Sequence, residues 1–217
     1  MQRKIRISLF SVLTLLFVVI IYWVYEIRKE STPFLDKWSG EYVEHFAGTF
    51  VYDMFWSVTH LGSKFFLIPF TTIVSVILWV LFKDWLVPLF FAGGTLVSHI
   101  LNLLIKSLVA RERPSISVEA NAEGYSFPSG HAMIAIVCYG LLMYFLIRVV
   151  KNQRVSILLK ISFALLIFLI GTSRYIINVH FATDIVTGFT IGFTLLILFI
   201  YLFESVDQKR KLSKIQP

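Results

Sequence analysis

The apolar residues of this chain are gathered into six runs with almost no charge, divided by short polar segments. The runs cover 7–25, 65–82, 85–105, 129–147, 155–173 and 181–203. A helix needs about 20 apolar residues to cross about 30 Å of hydrocarbon, so each run predicts a membrane-spanning helix. The first run follows Arg3, Lys4 and Arg6, as a signal peptide would. No small-residue cleavage site follows it, and it is read as a retained first span. The fifth run contains Lys160 close enough to its basic end to snorkel. The sixth carries Asp184 in its first turn. Residues 26–64 are too polar to span. Large apolar residues recur at Tyr42, Phe46, Phe50 and Met54, a four-residue spacing that predicts an amphipathic helix on the outer membrane surface or capping the bundle.

Composition agrees with this pattern. Of 217 residues, 57% are hydrophobic and only 15% charged, against about 25% charged in an ordinary soluble domain. Mean hydropathy is +0.78. A disordered chain is excluded and a soluble globular one disfavoured. The expected fold is all-α: a single six-span domain over residues 1–217, with no internal repeat. A lone cysteine, Cys138, excludes an internal disulfide and a cysteine-built metal cluster, and it is expected to be buried packing. The net charge of +7 does not call for nucleic acid, since Lys and Arg concentrate on cytoplasmic loops. With six spans both termini share a side. Placing them in the cytoplasm puts twelve of the Lys and Arg residues inside and eight outside. The tail from Glu204 is read as a short, frayed, basic anchor.

Polar residues at the ends of spans form three clusters. The first is Lys106, Arg111, Glu112, Arg113 and Pro114. Lys106 and Arg113 are seven apart, so a helix continuing to Pro114 would set them on one face as an anion clamp. A basic interfacial anchor is the plainer alternative. The second is Pro128, Ser129, Gly130 and His131, a helix start whose free N–H groups and dipole suit an anion, or simply a capped helix. The third is Ser173 and Arg174, then His180 and Asp184. The last two stand at i and i+4, where the carboxylate would fix the imidazole tautomer; a structural His–Asp pair is the alternative. One loop joins the first two clusters, and two spans separate the second from the third. All three therefore fall on one side of the membrane, the outer side on the orientation above.

Three cations, a helix N-terminus, two histidines and a carboxylate suit phosphoryl transfer. One histidine, backed by Asp184, can attack phosphorus, while the other protonates the leaving oxygen. The cations stabilise the transition-state oxygens and supply charge that Mg²⁺ would otherwise provide.

Lys106-x6-Arg113-Pro114, Pro128-Ser129-Gly130-His131 and Ser173-Arg174-x5-His180-x3-Asp184 together resemble the three-part signature of the type 2 phosphatidic acid phosphatase, or lipid phosphate phosphatase, superfamily. The signature spans residues 106–184, and the six-span layout extends the likeness over nearly the whole chain. The size is similar to that of bacterial phosphatidylglycerophosphatase B-type members. The resemblance implies His180 as nucleophile, Asp184 as its partner and His131 as general acid. It implies phosphate binding by Lys106, Arg113, Ser129, Gly130 and Arg174. It implies no metal or other cofactor, no obligate protein partner, and a lipid phosphate substrate such as phosphatidylglycerol phosphate or undecaprenyl pyrophosphate. A lipid-phosphate transporter or scramblase using the same anion site is the competing class. His99 and Asn102, inside the third run, are read as interhelical hydrogen bonders. Gly188 and Gly192 are read as a close helix contact, as are Gly93 and Gly94. Glu119 and Glu123 lie in the loop beside the site.

Overall fold

A computed structural model describes residues 2–114 and 124–213 of the chain. Glu119, Glu123 and the terminal anchor residue Lys214 lie outside the described residues. Among the described residues eight α-helices follow one another: α1 (Gln2–Arg28), α2 (Phe34–Val43), α3 (Phe50–Thr59), α4 (Lys64–Phe82), α5 (Leu86–Val109), α6 (Gly130–Val149), α7 (Gln153–Ile176) and α8 (Ala182–Ser213). Six of them, all but α2 and α3, are long and apolar enough to cross a membrane. Each coincides with one of the six runs.

Helix α6 is the centre of the bundle. It is apolar all round, as a helix enclosed by others must be, and Ala132, Met133, Ala135, Val137, Cys138, Leu141 and Phe145 have essentially no exposed surface. Helices α5, α7 and α8 pack around it, and α4 touches it through Phe70 on Tyr139 and Phe82 on Phe145. Cys138 is accordingly packing, with its sulfur 3.9 Å from Thr71 Oγ1. The tightest approach is between α6 and α8. A Cβ on Gly188 would lie 2.6 Å from the Ser129 carbonyl, and one on Gly192 2.6 Å from that of Met133. The glycine pair of α8 is therefore a close contact within the chain. Gly94 does the same on α5, where a Cβ would meet Leu141 at 2.7 Å, whereas Gly93 faces open space. Helix α1 is peripheral, touching α5 and α8, and Arg28 donates to the Leu108 carbonyl.

Two features differ from the sequence expectations. The Tyr42–Met54 stripe is not one helix. The chain turns at Ala47, Gly48 and Thr49, where Gly48 has φ +73° and the Thr49 hydroxyl caps α3, so the four-residue spacing crosses a break. Helix α3 packs on α7 and α2 on the start of α8, which makes the segment a cap on the bundle. The tail is also more ordered than expected. Helix α8 runs ten residues past Phe203, and most of its charges there are paired: Glu204 with Arg148 at 3.0 Å, Arg210 with Asp84 at 3.0 Å, and Lys211 with Asp207 at 2.8 Å.

The glycine contacts predict a contrast. Gly192→Ala should lower stability in detergent by about 1–3 kcal/mol, because the new methyl meets backbone. Gly93→Ala should be neutral or stabilise by up to about 1 kcal/mol through helix propensity. Thermal unfolding of the two variants reads the difference directly.

Candidate active site

The site forms at one end of the bundle, where α5 and α7 end and α6 and α8 begin. Ser129 N–H donates to the Asp184 carbonyl at 3.0 Å, tying the first turns of α6 and α8 together. Asn102 on α5 donates from Nδ2 to the Pro128 carbonyl at 3.1 Å, just before α6, and to Met133 Sδ of α6 at 3.7 Å, and so bridges the two helices. The α7–α8 loop is closed by the Arg174 carbonyl, which accepts from the Val179 and His180 N–H groups at 3.1 Å each.

His180 and Asp184 face each other as their spacing requires. His180 Nδ1 lies 3.1 Å from Asp184 Oδ2, which also accepts the Phe181 N–H at 3.0 Å. A carboxylate accepts, so Nδ1 carries the proton. On its other side, His180 Nε2 is 3.2 Å from Arg113 Nη1. Guanidinium only donates, so Nε2 presents its lone pair. Burial, reinforced by the charges of Lys106, Arg113, Arg174 and Arg111, holds the His180 imidazole well below the ordinary histidine range. The ring is neutral, with Nε2 as its basic atom.

The cations converge by a route the sequence did not predict. Helix α5 ends at Val109, with Ala110 left-handed at φ +53° and its N–H on the Lys106 carbonyl at 2.9 Å. Lys106 and Arg113 therefore do not share a helical face; the chain turns back and brings Arg113 in from the loop. Arg113 Nη1 donates to the Val179 carbonyl at 2.8 Å and Nε to that of Gly124 at 2.9 Å. Its partial burial pushes the guanidinium below its usual pKa. Lys106 Nζ donates to the Tyr125 and Ser126 carbonyls, the latter at 3.1 Å. Arg174 is buried, with Nη1 on Thr59 Oγ1 at 3.1 Å and Nε without a hydrogen-bond partner among the described residues. The Ser173 hydroxyl donates back to the Ile170 carbonyl at 2.6 Å.

Ser129 is the N-cap of α6, accepting from the Ala132 N–H at 3.5 Å. The space a side chain on Gly130 would take is held by Asn102 Oδ1 at 2.9 Å. His131 packs over Gly62, whose added Cβ would stand 2.6 Å from the ring. It lies within electrostatic reach of Arg174, His180, Arg113 and Lys106.

Two further site residues, Asp36 and Thr183, were not picked out by the sequence reading, and a third, Arg111, stands in the first polar cluster without a role assigned to it there. Arg111 Nη1 donates to Asp184 Oδ1 at 2.7 Å, and Nη2 to Asp36 Oδ2 at 2.6 Å. Its guanidinium stacks on Phe181, 3.8 Å from the ring centre. Asp36 is one acid in a segment read as amphipathic. A cavity of about 420 Å³ opens beside His180, walled by Asp36, Lys37, Ser39, Glu41, Tyr175 and Asn178.

The signature groups thus meet at one end of a six-span bundle, and comparison with known proteins agrees. Residues 87–207 match the PAP2 superfamily, and the chain belongs to that superfamily. It is a multi-pass membrane protein and a lipid phosphate hydrolase. Phosphatidylglycerophosphatase B of Bacillus subtilis is 31% identical over 160 residues, covering 71% of this chain and 74% of that protein. Dolichyldiphosphatase of Saccharomyces cerevisiae is 25% identical over 152 residues, covering 65% and 62%. Among solved structures, the transmembrane PAP2-type phosphatidylglycerolphosphate phosphatase of Bacillus subtilis superposes with a TM-score of 0.76 at 25% identity, covering 91% of this chain and 96% of that one.

The His180 geometry predicts a spectroscopic signature. Its ring ¹⁵N shifts should report a neutral imidazole protonated at Nδ1, and that state should persist as pH falls below the ordinary histidine value of 6.5. A ring protonated on both nitrogens at pH 6.5 would contradict it.

Proposed function

We propose that this protein is a metal-independent lipid phosphatase working through a phosphohistidine. The observation that carries the reading is the His180 ring, with Nδ1 held by Asp184 and Nε2 turned to Arg113. The Nε2 lone pair forms the N–P bond while the bond from phosphorus to the leaving oxygen breaks. His131 donates its proton to that oxygen. Asp184 stabilises the cationic ring that results. Water then attacks phosphorus, the N–P bond breaks, and the proton lost by water returns to His131. The products are phosphate and a lipid alcohol, or a lipid monophosphate where the substrate is a pyrophosphate. Lys106, Arg113 and Arg174, with the first turn of α6 at Ser129 and Gly130, hold the phosphate oxygens.

The substrate is phosphatidylglycerol phosphate or a polyprenyl pyrophosphate such as undecaprenyl pyrophosphate. The names of the two relatives support these two headgroups in turn. The charge distribution supports cytoplasmic termini and a site at the extracytoplasmic face. The whole chain works as one catalytic domain.

The purified protein in detergent micelles should release phosphate from one of these lipids with excess chelator present. His180→Ala should abolish release, by at least about a thousandfold, while the variant elutes and melts as a folded protein. His131→Ala should lose most with poor leaving groups and least with an activated phosphate ester. Turnover that needs a divalent ion, or that survives in His180→Ala, defeats the reading. Lipid movement across vesicles that survives in His180→Ala would point to a transporter instead.

A further inference from the structure

Asp36 is remote from the signature and outside the residues matched to the superfamily. Its side chain is nevertheless completely buried at the site. Both oxygens are engaged. Oδ1 accepts the Thr183 N–H at 2.9 Å, in the first turn of α8. Oδ2 accepts from Arg111 Nη2 at 2.6 Å and from the Thr183 hydroxyl at 2.7 Å. Arg111 shares its other Nη between Asp184 at 2.7 Å and Thr183 Oγ1 at 2.9 Å. Asp36, Arg111, Asp184 and His180 thus form a continuous buried chain.

We propose that Asp36 is a positioning residue of the active site, acting through Arg111 on Asp184 and so on the His180 ring. The proposal rests on His180 being the nucleophile. Two effects follow from the geometry. First, Asp36 caps the start of α8 from another helix and fixes where Arg111 can stand, which sets the Asp184 carboxylate in the plane that receives Nδ1–H. Second, it balances charge. Asp184 must remain an effective anion beside the ring that becomes cationic during attack, yet it carries a guanidinium on Oδ1. The second carboxylate takes up half of that guanidinium, so the three groups together keep one negative charge. Among the described residues, the other charged or titratable groups around His180 are Arg113 and Lys106 from the end of α5 and its loop, Arg174 from α7 and His131 from α6, with Lys37 and Glu41 of α2 on the wall of the adjoining cavity. None of the four basic groups can replace that charge.

The test compares wild type, Asp36→Asn, and Asp36→Asn with Arg111→Gln, in micelles, against a substrate that wild type turns over. Asp36→Asn keeps the shape but makes the three-residue cluster neutral. Its kcat should fall about tenfold with KM little changed, and the acid limb of kcat/KM should move about one unit to lower pH. The double variant restores the single negative charge, so its acid limb should return toward the wild-type position. Ring ¹⁵N titration of His180 gives the same shift without requiring turnover. It therefore separates failure of this proposal from failure of the nucleophile assignment, which His180→Ala tests. A folded Asp36→Asn with unchanged kcat, acid limb and His180 titration overturns the proposal. So does loss of the fold in both variants, since Asp36 would then serve the fold alone.

Discussion

The approach of α6 to α8 is the contact on which the rest of the site depends. Gly188 lets the Ser129 carbonyl come to where a side chain would otherwise stand, and Gly192 does the same for Met133. With the two helices this close, Ser129 N–H reaches the Asp184 carbonyl at 3.0 Å. Two helix N-termini then lie side by side, and their positive dipole ends point to the same small volume. The glycines act by exclusion of bulk. They set the distance between two backbones, and through it the distance between the Ser129–His131 turn and the His180–Asp184 turn.

Bringing cations to that volume has a cost in lost hydration, and the fold offsets it with carbonyl oxygens. Lys106 and Arg113 lean on the carbonyls of Gly124, Tyr125 and Ser126, and Arg113 also on that of Val179. Carbonyls satisfy donors without cancelling charge. On the flank of the histidine, Asp184 and Asp36 share Arg111, so that the charge around His180 is balanced by carboxylates.

The spans were legible because hydrocarbon imposes a length and an apolar composition on any helix that crosses it. The signature was legible because its chemistry needs fixed spacings within single turns, as at His180 and Asp184. Features set by chain reversals were not. A helical reading of Lys106 to Arg113 was reasonable from the residues, yet Ala110 adopts a left-handed conformation that no side chain there announces. The break at Gly48 likewise interrupts a regular four-residue apolar spacing. The order of α8 beyond Phe203 depends on Arg148 and Asp84, partners contributed by other ends of helices, so local sequence could only suggest fraying.

The 26–64 segment changes meaning for the same reason. Alone it is an amphipathic stretch with scattered acids. In the fold each of its short helices supports a different part of the catalytic end. Helix α2 brings Asp36 to Arg111, and the Ser39 carbonyl accepts from the Tyr175 hydroxyl at 2.5 Å. Helix α3 ends in Thr59, whose hydroxyl receives Arg174. The segment also supplies Lys37, Ser39 and Glu41 to the cavity beside His180. The signature groups that suit phosphate chemistry lie between residues 106 and 184, but much of that cavity wall comes from α2. A phosphate looks the same on every lipid ester, so discrimination between headgroups has to come from walls beyond the phosphate. In this chain the wall beside His180 is built largely by α2.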